Sequence, residues 1–237
     1  MRRIAALLSL ATATLLPAAF AADAEPGNAK RLTSGERKEA LKTLVETKPN
    51  GDVLIRRNPA ADFGRKSKAP KLPDAVTEMM LHIYPDMDFE KFSQKIERNA
   101  HRSGDVRIKE TMHGCDDYLS EIGFSIKRIK FAPGTMRGRI NSGIPFFIAL
   151  YNKDGWDEKI YERTKRRPAD TKDWDEWKQT LRKDTIREKD VVGKLFWCLI
   201  WGHNKASGEF FVEINGRGIW MSEAEIKLLQ HSFYEIR

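Results

Sequence analysis

Cysteine is scarce in this chain: Cys115 and Cys198 are the only two. Neither pairs with a second cysteine or a histidine at ligand spacing, which argues against zinc. Two cysteines leave one disulfide open in an oxidising compartment. Cys198, however, lies inside an apolar strand pattern, where a cysteine commonly serves as a small hydrophobe. Long hydrophobic runs are also missing beyond the first residues, so no second segment reaches the length of a membrane span. Nor is there an internal repeat or low-complexity tract, which excludes a repeat array.

The one apolar run, Ile4–Phe20, follows Arg2 and Arg3 and ends in Ala19-Phe20-Ala21. That is the pattern of a signal peptide over residues 1–21, cleaved after Ala21. The expected location is therefore periplasmic or secreted, with no membrane anchor left after cleavage. Lys and Arg number 42 against 34 Asp and Glu, a net charge of +8 that falls to +6 without Arg2 and Arg3. The surplus favours anionic partners such as envelope polymers or lipid headgroups. It does not point to nucleic acid, because the basic residues are interleaved with acids and the chain is expected to be exported. About 215 residues remain, enough for one good core and a small appendage.

Helical patterns dominate the first half. Thr33-Ser34-Gly35-Glu36 is a capping box, and Ala40, Leu41, Leu44 and Val45 extend an apolar stripe to Thr47. Pro49-Asn50-Gly51 then turns the chain into a short strand, Asp52–Arg56. With the flexible residues before them, these make an N-terminal appendage over 22–57. A helix from about Pro73 to Tyr84 carries Val76, Met79, Met80 and Ile83 on one face, and Asp88 caps a second with Phe89, Phe92 and Ile96. A third helix starts near Gly114-Cys115-Asp116-Asp117 and stops at Gly123.

Strand patterns follow: Phe124–Phe131, Ile144–Tyr151, Val191–Trp201 and Glu209–Ile214, with a last helix capped at Ser222. Between them, residues 152–190 form a charged, Trp-rich insertion, read as a partly helical flap over one end of the sheet. Helices first and strands later is an α+β signature.

The C-terminal strands carry a resemblance. Gly143-Ile144-Pro145-Phe146, then Phe196-Trp197-Cys198-Leu199-Ile200-Trp201-Gly202-His203-Asn204, then Glu213-Ile214-Asn215 follow an order similar to that in papain-like cysteine peptidases of the bacteriocin-leader type. Tyr118-Leu119-Ser120-Glu121-Ile122-Gly123-Phe124 matches a further element of that family, and the likeness spans about residues 50–237. It implies a papain-like fold over residues 58–237, with N-terminal helices and a C-terminal antiparallel sheet. It also places the nucleophile at Lys71, the general base at Phe196 and the third triad member at Asn215. Lysine supplies no thiolate and phenylalanine moves no proton, so the resemblance implies a peptidase fold without its chemistry. Gly64-Arg65-Lys66 offers no oxyanion glutamine either.

The alternative is an active cysteine peptidase built on Cys115 and His203, since Cys115 falls near a helix start and His203 at a strand end. Asp116 and Asp117 beside the thiol work against it by raising its pKa. His203 otherwise reads as a hairpin-entry residue. Trp156, Trp174 and Trp177 either line a groove for peptide or glycan or dock the insertion onto the sheet. The expected function is a non-catalytic binding or scaffold protein of the cell envelope, with peptide or an envelope polymer as partner and no cofactor.

Overall fold

The computed structural model describes residues 33–61, 74–100, 108–152, 156–183, 194–214 and 216–236. The capping box forms as the sequence suggests. Thr33 Oγ1 accepts from Glu36 N–H at 3.3 Å, and the Glu36 carboxylate accepts from Thr33 N–H at 2.8 Å, opening α1 (Ser34–Lys42). The helix is shorter than its apolar stripe. Val45–Thr47 instead forms β1 and turns into β2 (Asp52–Ile55). The β-branched Val45 and Thr47 suit a strand, and pairing with β2 outweighs their helical spacing.

Helix α2 (Asp74–Ile83) buries the four apolar positions of its stripe and also Thr77, Leu81 and His82, as expected of a helix enclosed on several sides. Asp88 accepts from Lys91 N–H at 2.9 Å and caps α3 (Phe89–Ala100), whose Phe92 and Ile96 are fully buried. Helix α4 runs Ile108–Ser120, so it begins earlier than the sequence pattern suggests and holds Gly114 and Cys115 mid-helix. Gly114 marks a crossing. A Cβ there would lie 2.8 Å from the Ile96 Cα, so only glycine lets α3 and α4 approach this closely.

The rest of the chain supplies β3 (Ile126–Ile129), α5 (Pro133–Ile140), β4 (Phe146–Asn152), α6 (Trp156–Lys165), α7 (Trp174–Lys183), β5 (Lys194–Asn204), β6 (Glu209–Ile214), β7 (Arg217–Ser222), α8 (Glu223–Leu229) and β8 (Gln230–Ile236). This is an α+β fold: the helices lie mostly in the N-terminal half, and the antiparallel sheet curls into a half-barrel. The sheet has the order β1-β2-β5-β4-β8-β3, with β6 joining β5 to β7. Strand β5 is the hub. Its first half pairs with β4, and residues 202–204 pair with β2 on one edge and β6 on the other. Residues 45–55 therefore belong to the main sheet.

One contiguous core joins α2, α3 and α4 to the inner strands, including Phe92, Phe146, Phe147, Phe210 and Phe233. Emptying a site such as Phe92 by replacement with alanine costs about 3–5 kcal/mol. A second small cluster, Trp174, Trp177 and Leu181, lies on α7.

Candidate functional site

Lys71 and Asn215 lie outside the described residues. Phe196 lies within β5, its backbone opposite Leu150 of β4. Both cysteines are fully buried thiols, and no disulfide joins them. Burial pushes the Cys115 thiol pKa up, and the Asp116 charge adds to it. Burial acts on Cys198 in the same direction, followed by the Asp157 charge. A thiol held protonated is a poor nucleophile.

His203 is far from that chemistry in its surroundings. Its Nε2 donates to Asn141 Oδ1 at 2.9 Å, and its ring packs near Phe210. Burial, followed by the charge of Arg137, lowers its pKa to about 4. Helix α4, which carries Cys115, packs on α3 and β3, whereas β5, which carries His203, is separated from β3 by β4 and β8. His82 is a second buried imidazole. Its Nδ1 accepts from Asn58 N–H at 3.2 Å, so Nε2 carries the proton and donates to Gly143 O at 2.9 Å. Burial lowers its pKa to about 4 as well, with the Gly143 bond opposing.

The insertion is fastened by buried arginines that its mixed-charge sequence concealed. Arg163 forms a bidentate pair with Glu225 at 2.6 and 2.7 Å and also donates to Trp220 O. One turn later, Arg167 grips both oxygens of Asp52 at 2.8 and 2.9 Å and donates through Nε to Glu209 at 2.9 Å. Its guanidinium lies 3.7 Å from the Trp220 ring centroid and 4.5 Å from that of Trp174. Burial alone would raise the Asp52 carboxyl pKa, but hydrogen bonds from Arg167 and Asn204 and the Arg167 charge outweigh it and hold the pKa below its ordinary value.

Trp156, Trp174 and Trp177 all face inward. Trp156 donates to Tyr151 O at 3.1 Å and Trp177 to Glu209 at 3.1 Å. Trp174 lies beneath the Arg167 guanidinium.

Compared with protein-family models, curated proteins and solved structures, the chain matches none. Among the described residues no group of three His, Cys, Asp or Glu is arranged to hold a metal ion, and no helix is long and apolar enough to cross a membrane.

A hollow of about 430 Å³ lies between α4 and the β3–β8 edge and is lined by His113, Asp116, Arg128 and His231. Asp116 is already engaged there, accepting from Ile126 N–H at 2.8 Å.

A further cavity encloses about 460 Å³ where α1, α2 and α5 meet the end of β8. Its apolar lining includes Ile83, Tyr84 and Phe124, and its charged lining is Arg37, Lys38 and Arg139, all basic. Gly143 makes the junction possible. At φ +75° it takes a backbone conformation that favours glycine, and a Cβ there would lie 1.9 Å from Leu41 O on α1. Sequence reading had no view of this cavity, because its walls come from segments far apart in the chain. The nearest signal was Arg37 and Lys38 together on one turn of α1.

Proposed function

We propose that the chain is an exported, non-catalytic binding protein built on a papain-like fold, with peptide or an envelope polymer as partner. The observation that carries this reading is the burial of both thiols, which are fully enclosed and held protonated. A cysteine peptidase needs an accessible thiol of lowered pKa at a helix N-terminus. Cys115 sits mid-helix, and Cys198 sits inside β5 opposite Ile148.

The resemblance along residues 50–237 supports the fold half of the proposal. So does the arrangement of a buried helix, α2, packed on β4 and β5 of a curled antiparallel sheet. Export rests on the signal-peptide pattern of residues 1–21.

The test is native alkylation with iodoacetamide alongside a peptide-cleavage screen. The expected result is no labelling until denaturant is added, when both cysteines react, and no cleaved peptide. Rapid native labelling of Cys115, together with peptide cleavage abolished by Cys115→Ala, would overturn the reading in favour of an enzyme.

A further inference from the structure

The cavity beside α1 joins an apolar body to a one-signed rim. Burying a cation is costly unless its donors are matched. The Arg37 side chain is only 13% exposed, yet the carboxylate nearest it, Asp86, stands at 3.7 Å and is itself half-exposed. Arg37 Nε is buried with no hydrogen-bond partner. The guanidinium is held in place by its stack on Tyr84, 4.2 Å from the ring centroid.

Arg139 reaches Glu235 only at a long 3.3 Å, and Lys38 stands exposed at the rim. No acidic residue lines the cavity, and its size falls in the range that takes small molecules. Charge complementarity therefore selects an anion, and the apolar wall selects one with a hydrophobic body. A carboxylate fits the planar donor fork of arginine better than a spherical ion does.

We propose that this cavity binds a small apolar carboxylate, its body against Ile83, Tyr84 and Phe124 and its head on Arg37, with Arg139 and Lys38 completing the field. The assignment rests on the chain being a binding rather than a hydrolytic protein. Two sources share this chemistry: a free acyl-chain acid and the C-terminus of a peptide ending in an apolar residue. Both place one carboxylate at the end of an apolar group.

Titration calorimetry on the full chain with decanoate, decanol and N-acetyl-Phe-Leu tests the site. Decanoate, the peptide or both should bind, decanol at least tenfold more weakly, and the preferred anion names the source. The double variant Arg37→Gln/Arg139→Gln should lose at least tenfold in affinity for that anion while keeping its circular dichroism, and Arg37→Lys/Arg139→Lys should regain part of it. Should the double variant fail to fold, Lys38→Gln serves instead. Lys38 is exposed, and its loss should weaken anion binding about twofold to fivefold, with the remaining affinity falling as salt is raised.

Binding of decanol as tight as decanoate, no binding of either anion, or unchanged affinity in the variants overturns the site. Absence of binding with no peptide cleavage leaves the non-catalytic reading standing and removes only this cavity. Cleavage of a peptide removes that reading whatever the calorimetry shows.

Discussion

Arg167 and Arg37 are both largely buried cations stacked on aromatic rings, yet their polar surroundings differ. Arg167 spends its donors on two buried carboxylates, Asp52 and Glu209, with Trp220 and Trp174 near its guanidinium. Arg37 has one distant, half-exposed carboxylate and a buried Nε without an acceptor. In the first arrangement every guanidinium nitrogen meets a carboxylate, and the cluster holds an insertion to a sheet. The second has donor capacity left over beside a cavity. A buried cation whose donors are all matched reads as architecture, and an under-matched one beside a hollow reads as a place for a ligand.

The largest expected effect breaks the architectural side. Arg167→Ala leaves Asp52 and Glu209 buried without their cation and should cost about 3–5 kcal/mol of unfolding free energy, measured by urea denaturation. Replacing Arg167, Asp52 and Glu209 together by apolar residues of similar volume should recover most of that loss. If the single variant is as stable as the parent, Arg167 is not the fastening described here.

Next in size is an acid sensitivity carried by His82. Its folded pKa, about 4, lies below the ordinary histidine value of 6.5, so the unfolded chain takes up the proton first as pH falls. The neutral form's contribution is complete above pH 6.5 and is lost between there and about 4, by about 3 kcal/mol. His203 adds a loss over the same window and in the same direction. Urea midpoints followed from pH 7 to 4 should fall, and His82→Gln should flatten that slope even though it lowers stability at neutral pH.

The smallest effect belongs to the other member of the comparison. Arg37→Gln should change unfolding free energy by less than about 1 kcal/mol, because its carboxylate partner is distant and half-exposed. A loss as large as that of Arg167→Ala would make Arg37 architectural too and erase the contrast between the two sites.

What was legible in the sequence was local. The apolar stripes of α2 and α3, the caps at Thr33, Asp88 and Ser222, and the strand runs at 146–152 and 209–214 follow from periodicity and capping, because each is decided by near neighbours. Where local signals failed, distant partners had decided. The stripe that continued α1 to Thr47 was broken by β1 pairing with β2. Gly114 looked like a helix start, but it is the point where α4 meets Ile96.

The roles of Arg163 and Arg167 were hidden by composition. In a segment of dense mixed charge nothing distinguishes a solvated arginine from one that will meet Asp52, 115 positions earlier. The cavity was hidden too, since its walls come from α1, α2, α5 and β8, which lie far apart in the chain. Cys115 and His203 suggested chemistry by residue type and by their places near a helix start and a strand end, and their burial and partners are tertiary facts.

Strand β5 also sets the order in which the molecule can be completed. Its last residue, Asn204, donates to Asp52 across 152 positions, and β2 has no mate in the sheet besides β1 until those residues arrive. A chain whose early strands wait on so late a partner has high contact order, and such chains fold slowly. During synthesis the N-terminal hairpin therefore stays without its second sheet neighbour until β5 has been made.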